Sequence, residues 1–167
     1  MGSPRLTAYN KLLLQARRKS LASFADMDYR LASVIIHDNV EWINDSKSVD
    51  LQSTHYALSV FNQPVYWVLE LDGSQQDYSI LEDLVRHQVK SIICYGVYNS
   101  DFEHLYGSVV EDYKYCSTMA EAVEYTRRSV GEYDVVLFSS GCYPLDGASY
   151  VERGKLFNKE LKEALGL

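Results

Sequence analysis

The sequence predicts an α/β domain of the Rossmann-like, three-layer αβα kind with a largely parallel sheet, on three observations. Apolar strand-like runs alternate with segments of helical periodicity from Asp50 to the end of the chain. The segments between successive strands are long enough for crossovers, and crossover helices imply parallel strands covered on both faces. At 167 residues, 47% of them hydrophobic, the chain can bury one ordinary core.

The elements follow in order. "RLTAYNKLLLQARRKSLASF" sets Leu6, Tyr9, Leu12, Leu13, Ala16 and Leu21 near helical spacing with basic residues between them. "LASVII" and "VEWIN" flank His37-Asp38-Asn39, a polar connection short enough for a hairpin. Leu51, Thr54, Ala57, Leu58 and Phe61 mark a helix with Asp50 as its N-cap. Strand "PVYWVLEL", helix "YSILEDLVRHQV", strand "KSIICYGV" and the short helix "NSDFEHLY" come next. The weak strand "EDYKYC" precedes "TMAEAVEYTRRSV", where Thr118 and Glu121 have capping-box spacing. "YDVVLFS" is the last strand, and "YVERGKLFNKELKEAL" the last helix, with Val151, Phe157, Leu161 and Ala164 on one face.

Composition excludes several classes. A formal charge of −7 disfavours a protein whose affinity rests on neutralising a phosphodiester backbone. Cys94, Cys116 and Cys142 are odd in number and widely spaced, giving neither a disulfide framework nor a zinc pattern. They read as reduced, mostly buried thiols. No stretch reaches the apolar length of a membrane span, and the basic-then-apolar order of a signal peptide is missing, so the expected location is cytoplasmic. The 14 tyrosines have no explanation at this level.

In open α/β sheets, ligands gather beyond the carboxyl ends of the strands. Three polar loops qualify: "NDSKSVD" at 44–50, "LDGSQQD" at 71–77 and "SSGCYPLDG" at 139–147. Ordinary turns share this composition, because Asn, Asp, Ser and Gly tolerate turn geometry. The first loop goes further. Lys47 adds a cation beside the oriented N–H groups of a helix start, a corner suited to a phosphate or carboxylate.

"VEWINDSKSVD" resembles the opening motif of the C-terminal domain of the Mur ligases, in the branch that adds D-glutamate to UDP-N-acetylmuramoyl-L-alanine, where the motif runs Asn-Asp-Ser-Lys-Ala-Thr-Asn. "SLASFADMDYRLASV" is similar to the segment leading into that domain, with Tyr29-Arg30 in place of His-Arg. "LFSSGCYPLDGASYVERGKLF" is similar to the family's Ser-Pro-Ala-Cys-Ala-Ser loop and Phe-Glu-x-Arg-Gly helix. The resemblance implies a cytoplasmic, ATP-dependent ligase of cell-wall peptidoglycan synthesis. In it a carboxylate is activated as an acyl phosphate and an amino acid displaces the phosphate. It also implies site roles: Lys47 is the catalytic cation, Arg30, His37 and Asp45 lie toward the nucleotide, and Ser139, Ser140, Ser74 and Val49 line the amino-acid side. Arg30 and Lys47 would offset charge on the transferring phosphoryl group, and Asp45 would accept from ribose hydroxyls. No metal ligand is assigned to this chain. ATP and Mg2+ belong to the full-length enzyme, and this domain alone would bind neither strongly.

The departures are specific. Where the family has a Gly-Gly-x-x-Lys loop whose lysine holds D-glutamate, this chain has Glu70 and Leu71 for the glycines and Ser74 for the lysine. Val49 replaces a threonine that binds the same amino acid, and the last loop, through Gly147-Ala148-Ser149, is one residue short and lacks an aromatic. No G-x-x-x-x-G-K-[ST] loop is found in the sequence, so the chain does not run the ligase reaction alone. The resemblance divides the chain into residues 1–26, a helix left from a preceding central domain, and 27–167, the C-terminal domain. The partners would be the central ATPase and N-terminal UDP-binding domains of a parent chain, with nucleotide and amino acid as substrates and no nucleic acid or membrane. Two alternatives stay open: a catalytically silent binding module that has lost its acceptor pocket, and an unrelated flavodoxin-like or receiver-like domain, for which no phosphate loop or acidic cluster is found.

Overall fold

A computed structural model describes residues 29–167 together with Leu12 and Ala16. The helix expected near the N-terminus and the boundary at residue 26 lie outside the described residues, apart from Leu12 and Ala16, which are helical and exposed.

Among the described residues, six strands form one sheet in the order β1-β2-β6-β3-β4-β5. They are β1 (Ala32–His37), β2 (Val40–Asn44), β3 (Val65–Leu71), β4 (Val89–Gly96), β5 (Asp112–Cys116) and β6 (Val135–Phe138). β1 is antiparallel to β2, and every other neighbouring pair is parallel. The expected hairpin is present, and its geometry explains its residues. Asp38 and Asn39 have φ of 49° and 63°, both positive as a two-residue I′-type connection demands, and these short polar side chains tolerate that region best after glycine.

Helices cover both faces. α1 (Leu51–Ser59), α2 (Glu82–Gln88) and α3 (Ser100–Tyr106) share a core with Ile43, Trp67, Leu69, Ile92 and Leu137. On the other face α4 (Met119–Ser129) and α5 (Tyr150–Leu165) pack over Trp42, Val68, Ile93, Val136 and Phe138. Alternate residues of β3 therefore serve opposite cores, and all seven are buried.

Local signals account for the helix ends. Asp50 Oδ1 accepts from Ser53 N at 2.7 Å, the cap that the sequence predicts. The capping box expected at Thr118 is displaced by one residue: Thr118 Oγ1 takes Glu121 N at 3.2 Å, but Glu121 Oε2 reaches back to Ser117 N at 2.8 Å. A complete box closes α5, between Ser149 and Glu152. The single helix expected over 78–89 is a 3-10 turn at Tyr78–Leu81 followed by α2, and Val89 already belongs to β4.

Several tyrosines act as ties, each burying an apolar ring while its hydroxyl fastens a backbone carbonyl. Tyr106 OH donates to Tyr78 O at 2.5 Å, Tyr66 OH to Ser129 O at 2.9 Å and Tyr115 OH to Gly96 O at 2.6 Å. All three cysteines are buried free thiols. Among the described residues no helix is long and apolar enough to cross a membrane.

Candidate functional site

The carboxyl ends of β2, β6 and β3 lie side by side, so the loops that follow them share one edge. At its centre is Asp45, only 1% exposed. Its carboxylate accepts from Leu31 N at 3.1 Å, Ser139 Oγ at 2.8 Å and Ser48 Oγ at 2.5 Å. Ser139 Oγ also lies 3.0 Å from Thr54 Oγ1. Burial pushes the Asp45 carboxyl up to about 6, while the Ser48 and Ser139 hydroxyls, the Leu31 N–H and the charge of Arg30 draw it down.

Arg30 is set beside this carboxylate by an unusual stretch of backbone. Tyr29 and Leu31, on either side of it, have φ of 64° and 45°, a region that costs bulky L-residues of order 1–3 kcal/mol each. The loop after β2 holds both in place. Lys47 N donates to Tyr29 O at 3.0 Å, and Leu31 N is the donor to Asp45. Arg30 and Lys47 are thus fixed by one set of bonds.

The first turn of α5 closes the edge. Arg153, 3% exposed, donates through Nη1 to Glu70 Oε2 at 3.0 Å and to Cys142 O at 2.9 Å. Through Nη2 it donates to Ser46 O at 2.8 Å. One guanidinium therefore joins the ends of β3, β6 and β2. Asn44 Nδ2 adds bonds to Gly154 O at 2.9 Å and Asn158 Oδ1 at 2.8 Å. The contact leaves no room at Gly154, where a Cβ would lie 2.3 Å from Tyr29 Cδ1 and 2.4 Å from Ser46 Oγ. Gly154→Ala is expected to lower the unfolding free energy by about 1–3 kcal/mol, the usual cost of overpacking, although alanine favours helix elsewhere. Urea denaturation checks it, and a neutral or stabilising result would mean that α5 sits further from the loop.

The structure unites some of the residues singled out in the sequence and separates others. Arg30, Asp45, Lys47, Ser139 and Ser140 share the edge. Ser139 and Ser140 are buried in internal bonds, Ser139 to Asp45 and Ser140 Oγ to Glu70 N at 3.0 Å. Lys47 is half-buried, with Nζ 5.7 Å from the centre of the Tyr150 ring. Ser74 turns inward on its own loop, donating from N and Oγ to Asp72 Oδ1 at 2.9 and 2.5 Å. Val49, half-buried, follows Ser48 on the first loop. His37 is not brought to this group. It pairs with Val40 at the start of β2, roughly 16 Å from Asp45 at strand rise, and its Nδ1 lies 3.3 Å from Asp38 Oδ2. The antiparallel turn of β1 carries it to the opposite end of the sheet. The sequence reading gave no site role to Arg153, Glu70, Thr54 or Asn44, although Asn44 stands in the first polar loop and Glu70 at a departure from the family's pattern. A signal existed for one of them: a lone carboxylate, Glu70, ending the apolar run "VYWVLEL" calls for a buried partner.

No protein-family model matches the chain. It is 34% identical over 149 residues to the UDP-N-acetylmuramoylalanine--D-glutamate ligase of Christiangramia forsetii, covering 89% of this chain and 34% of that protein. It is 32% identical over 149 residues to the ligase of the same name from Salinibacter ruber, with 89% and 32% covered. The chain thus spans about a third of the length of the curated relatives it matches. Among solved structures, a murein peptide ligase from Psychrobacter arcticus superposes with a TM-score of 0.57 at 10% identity, covering 83% of this chain and 30% of that one. MurF ligase from Thermotoga maritima, in complex with ADP, gives 0.52 at 14% identity, with 82% and 32% covered.

Proposed function

We propose that the chain is a Mur ligase C-terminal domain, as its 34% identity over 149 residues to a D-glutamate ligase supports, and that it serves as the amino-acid-facing domain of an ATP-dependent ligase that extends UDP-N-acetylmuramoyl-L-alanine with an amino acid of the D-glutamate type. The observation that carries this reading is the Asn44–Ser48 loop at the carboxyl end of β2, which holds Arg30 and Lys47 together at one edge. Two cations there suit a phosphoryl group on the nucleotide side, where each would offset charge developing on the transferring oxygens. Asp45 does not extend outward. It receives Leu31, Ser48 and Ser139 and so keeps the two cations in register. ATP would supply the activating phosphoryl group when bound, with Mg2+ as its counter-ion. Alone, this domain would hold the nucleotide weakly, from one side.

A second reading, a silent binding module, is favoured by the amino-acid side. Ser74 is engaged with Asp72, and Ser139 and Ser140 are consumed by internal bonds. One experiment separates the two: graft this chain onto the D-glutamate ligase of Christiangramia forsetii in place of its C-terminal third and follow ADP release. D-glutamate-dependent release supports the ligase reading, and its loss in the Lys47→Ala graft assigns the cation. An inactive graft revived by Val49→Thr with Ser74→Lys establishes the silent module. A graft that stays inactive after both substitutions, while folded, overturns the placement of Lys47 and Arg30 at the phosphoryl group.

A further inference from the structure

Lys47 is held from two directions by one helical turn. Its backbone lies between the Ser46 and Ser48 carbonyls, and Arg153 Nη2 donates to the first at 2.8 Å and approaches the second at 3.4 Å. Its ammonium group lies over Tyr150, three residues before Arg153 on α5. Arg153 is itself anchored by Glu70, and the side chains of this ion pair are 2% and 9% exposed. Glu70 faces Tyr95 across the β3–β4 ladder, so the anchor is part of the sheet and not of a loop.

We infer that the first turn of α5 is the positioning device for Lys47, with Arg153 setting the path of its backbone, Tyr150 fixing its ammonium group and Glu70 holding Arg153 in place. This rests on the functional reading only in taking Lys47 as the cation that meets the ligand. All three act through Lys47 as positioning residues. Their effect is to remove the freedom of a long, flexible side chain before a ligand arrives, which lowers the ordering cost of binding. A lysine aimed this way loses its direction when its support is removed, whereas a lysine aimed by the loop alone keeps it.

NMR on the isotopically labelled chain tests the device without a ligand. In the wild type the Lys47 ε-methylene protons are expected upfield of the other lysines, shielded by the Tyr150 ring. Tyr150→Phe keeps that shift and Tyr150→Leu abolishes it, with the remaining spectrum unchanged. Glu70→Gln, or Arg153→Lys if the former folds poorly, is expected to move the Ser46, Lys47 and Ser48 amides and to reduce the same shift. Lys47 methylene resonances level with the other lysines in the wild type, or unmoved by Tyr150→Leu, overturn the proposal. Titration with ATP then addresses the functional reading separately. Binding weakened two- to fivefold in Tyr150→Leu, equivalent to about 0.5–1 kcal/mol, extends the device to the ligand. If ATP leaves the Arg30 and Lys47 amides unmoved while the ring shift behaves as stated, the phosphoryl reading fails and the positioning stands.

Discussion

Replacing Arg153 with alanine is expected to lower the unfolding free energy by about 3–5 kcal/mol, the usual cost of removing one member of a buried ion pair. The Glu70 carboxylate would be left buried beside Tyr95, and the Ser46 and Cys142 carbonyls would lose their donor. None of these groups is positioned to recover its bonds from bulk water, because the edge they form is closed by α5. The pair need not be stabilising for its disruption to be costly. Glu70→Leu combined with Arg153→Met is therefore expected to restore most of the loss, since two apolar side chains of similar volume remove both the charge and its requirement. Urea denaturation of the three variants measures this directly. A loss under about 1 kcal/mol in Arg153→Ala would show that water reaches Glu70 and that the pair is a surface feature.

The second large effect runs the other way. Asp45→Asn is expected to stabilise the protein at neutral pH. The Asp45 carboxyl is raised from 3.8 to about 6, so the folded state binds this proton more tightly than the unfolded chain does. A raised carboxyl favours folding fully below about pH 4, and that contribution is lost as pH climbs through about 6, a difference of about 3 kcal/mol for a shift of this size. The asparagine keeps an acceptor for Leu31 N, and the Ser48 and Ser139 hydroxyls can turn to accept from its amide. Glu124, exposed and held low by Arg127 and Arg128, titrates in both proteins and cancels in the comparison. The stability gap between Asp45→Asn and the wild type should thus be near zero at pH 4 and widen to about 3 kcal/mol by pH 7. A gap independent of pH would mean that Asp45 is already neutral or fully solvated. Keeping an ionised carboxylate where an amide would be more stable is the signature of a residue retained for its charge.

Much of the fold was legible because its signals are local. Alternating apolar runs, the Asp50 and Thr118 caps and the short His37–Asn39 connection each act over a few residues, and the structure places an element at each. The same locality misleads at residues 78–88, where a helical period spans a 3-10 turn and a separate helix, and at Thr118, where the side chain of Glu121 reaches one residue further back. The site was legible in part. Asn44 to Lys47 stand out because a charged cluster ending an apolar strand is conspicuous, yet nothing local says that Asp45 points inward or that Arg153 binds the carbonyl of Ser46. Asn44 and Gly154 are 110 positions apart, and only the assembled sheet sets them in contact. His37 is the opposite case. Near Asp45 in sequence, it is carried away by the antiparallel return of a single hairpin.

The place of β6 in the sheet has a consequence for how this molecule comes into being. It is the last of the six strands in chain order, yet it lies between β2 and β3, which are never adjacent to one another. Until β6 and α5 exist as chain, the two halves of the sheet have no partner to join them. The bonds that define the edge, Asp45 to Ser139 and Ser46 to Arg153, close loops of 94 and 107 residues. Contacts of such separation are the slowest to be rewarded in folding, because the entropy of closing the loop must be overcome first. A nascent chain halted after α4 would carry both Arg30 and Lys47 and no edge to hold them. The last strand is the keystone of the sheet, and the competence to present Lys47 arrives in one late, cooperative step.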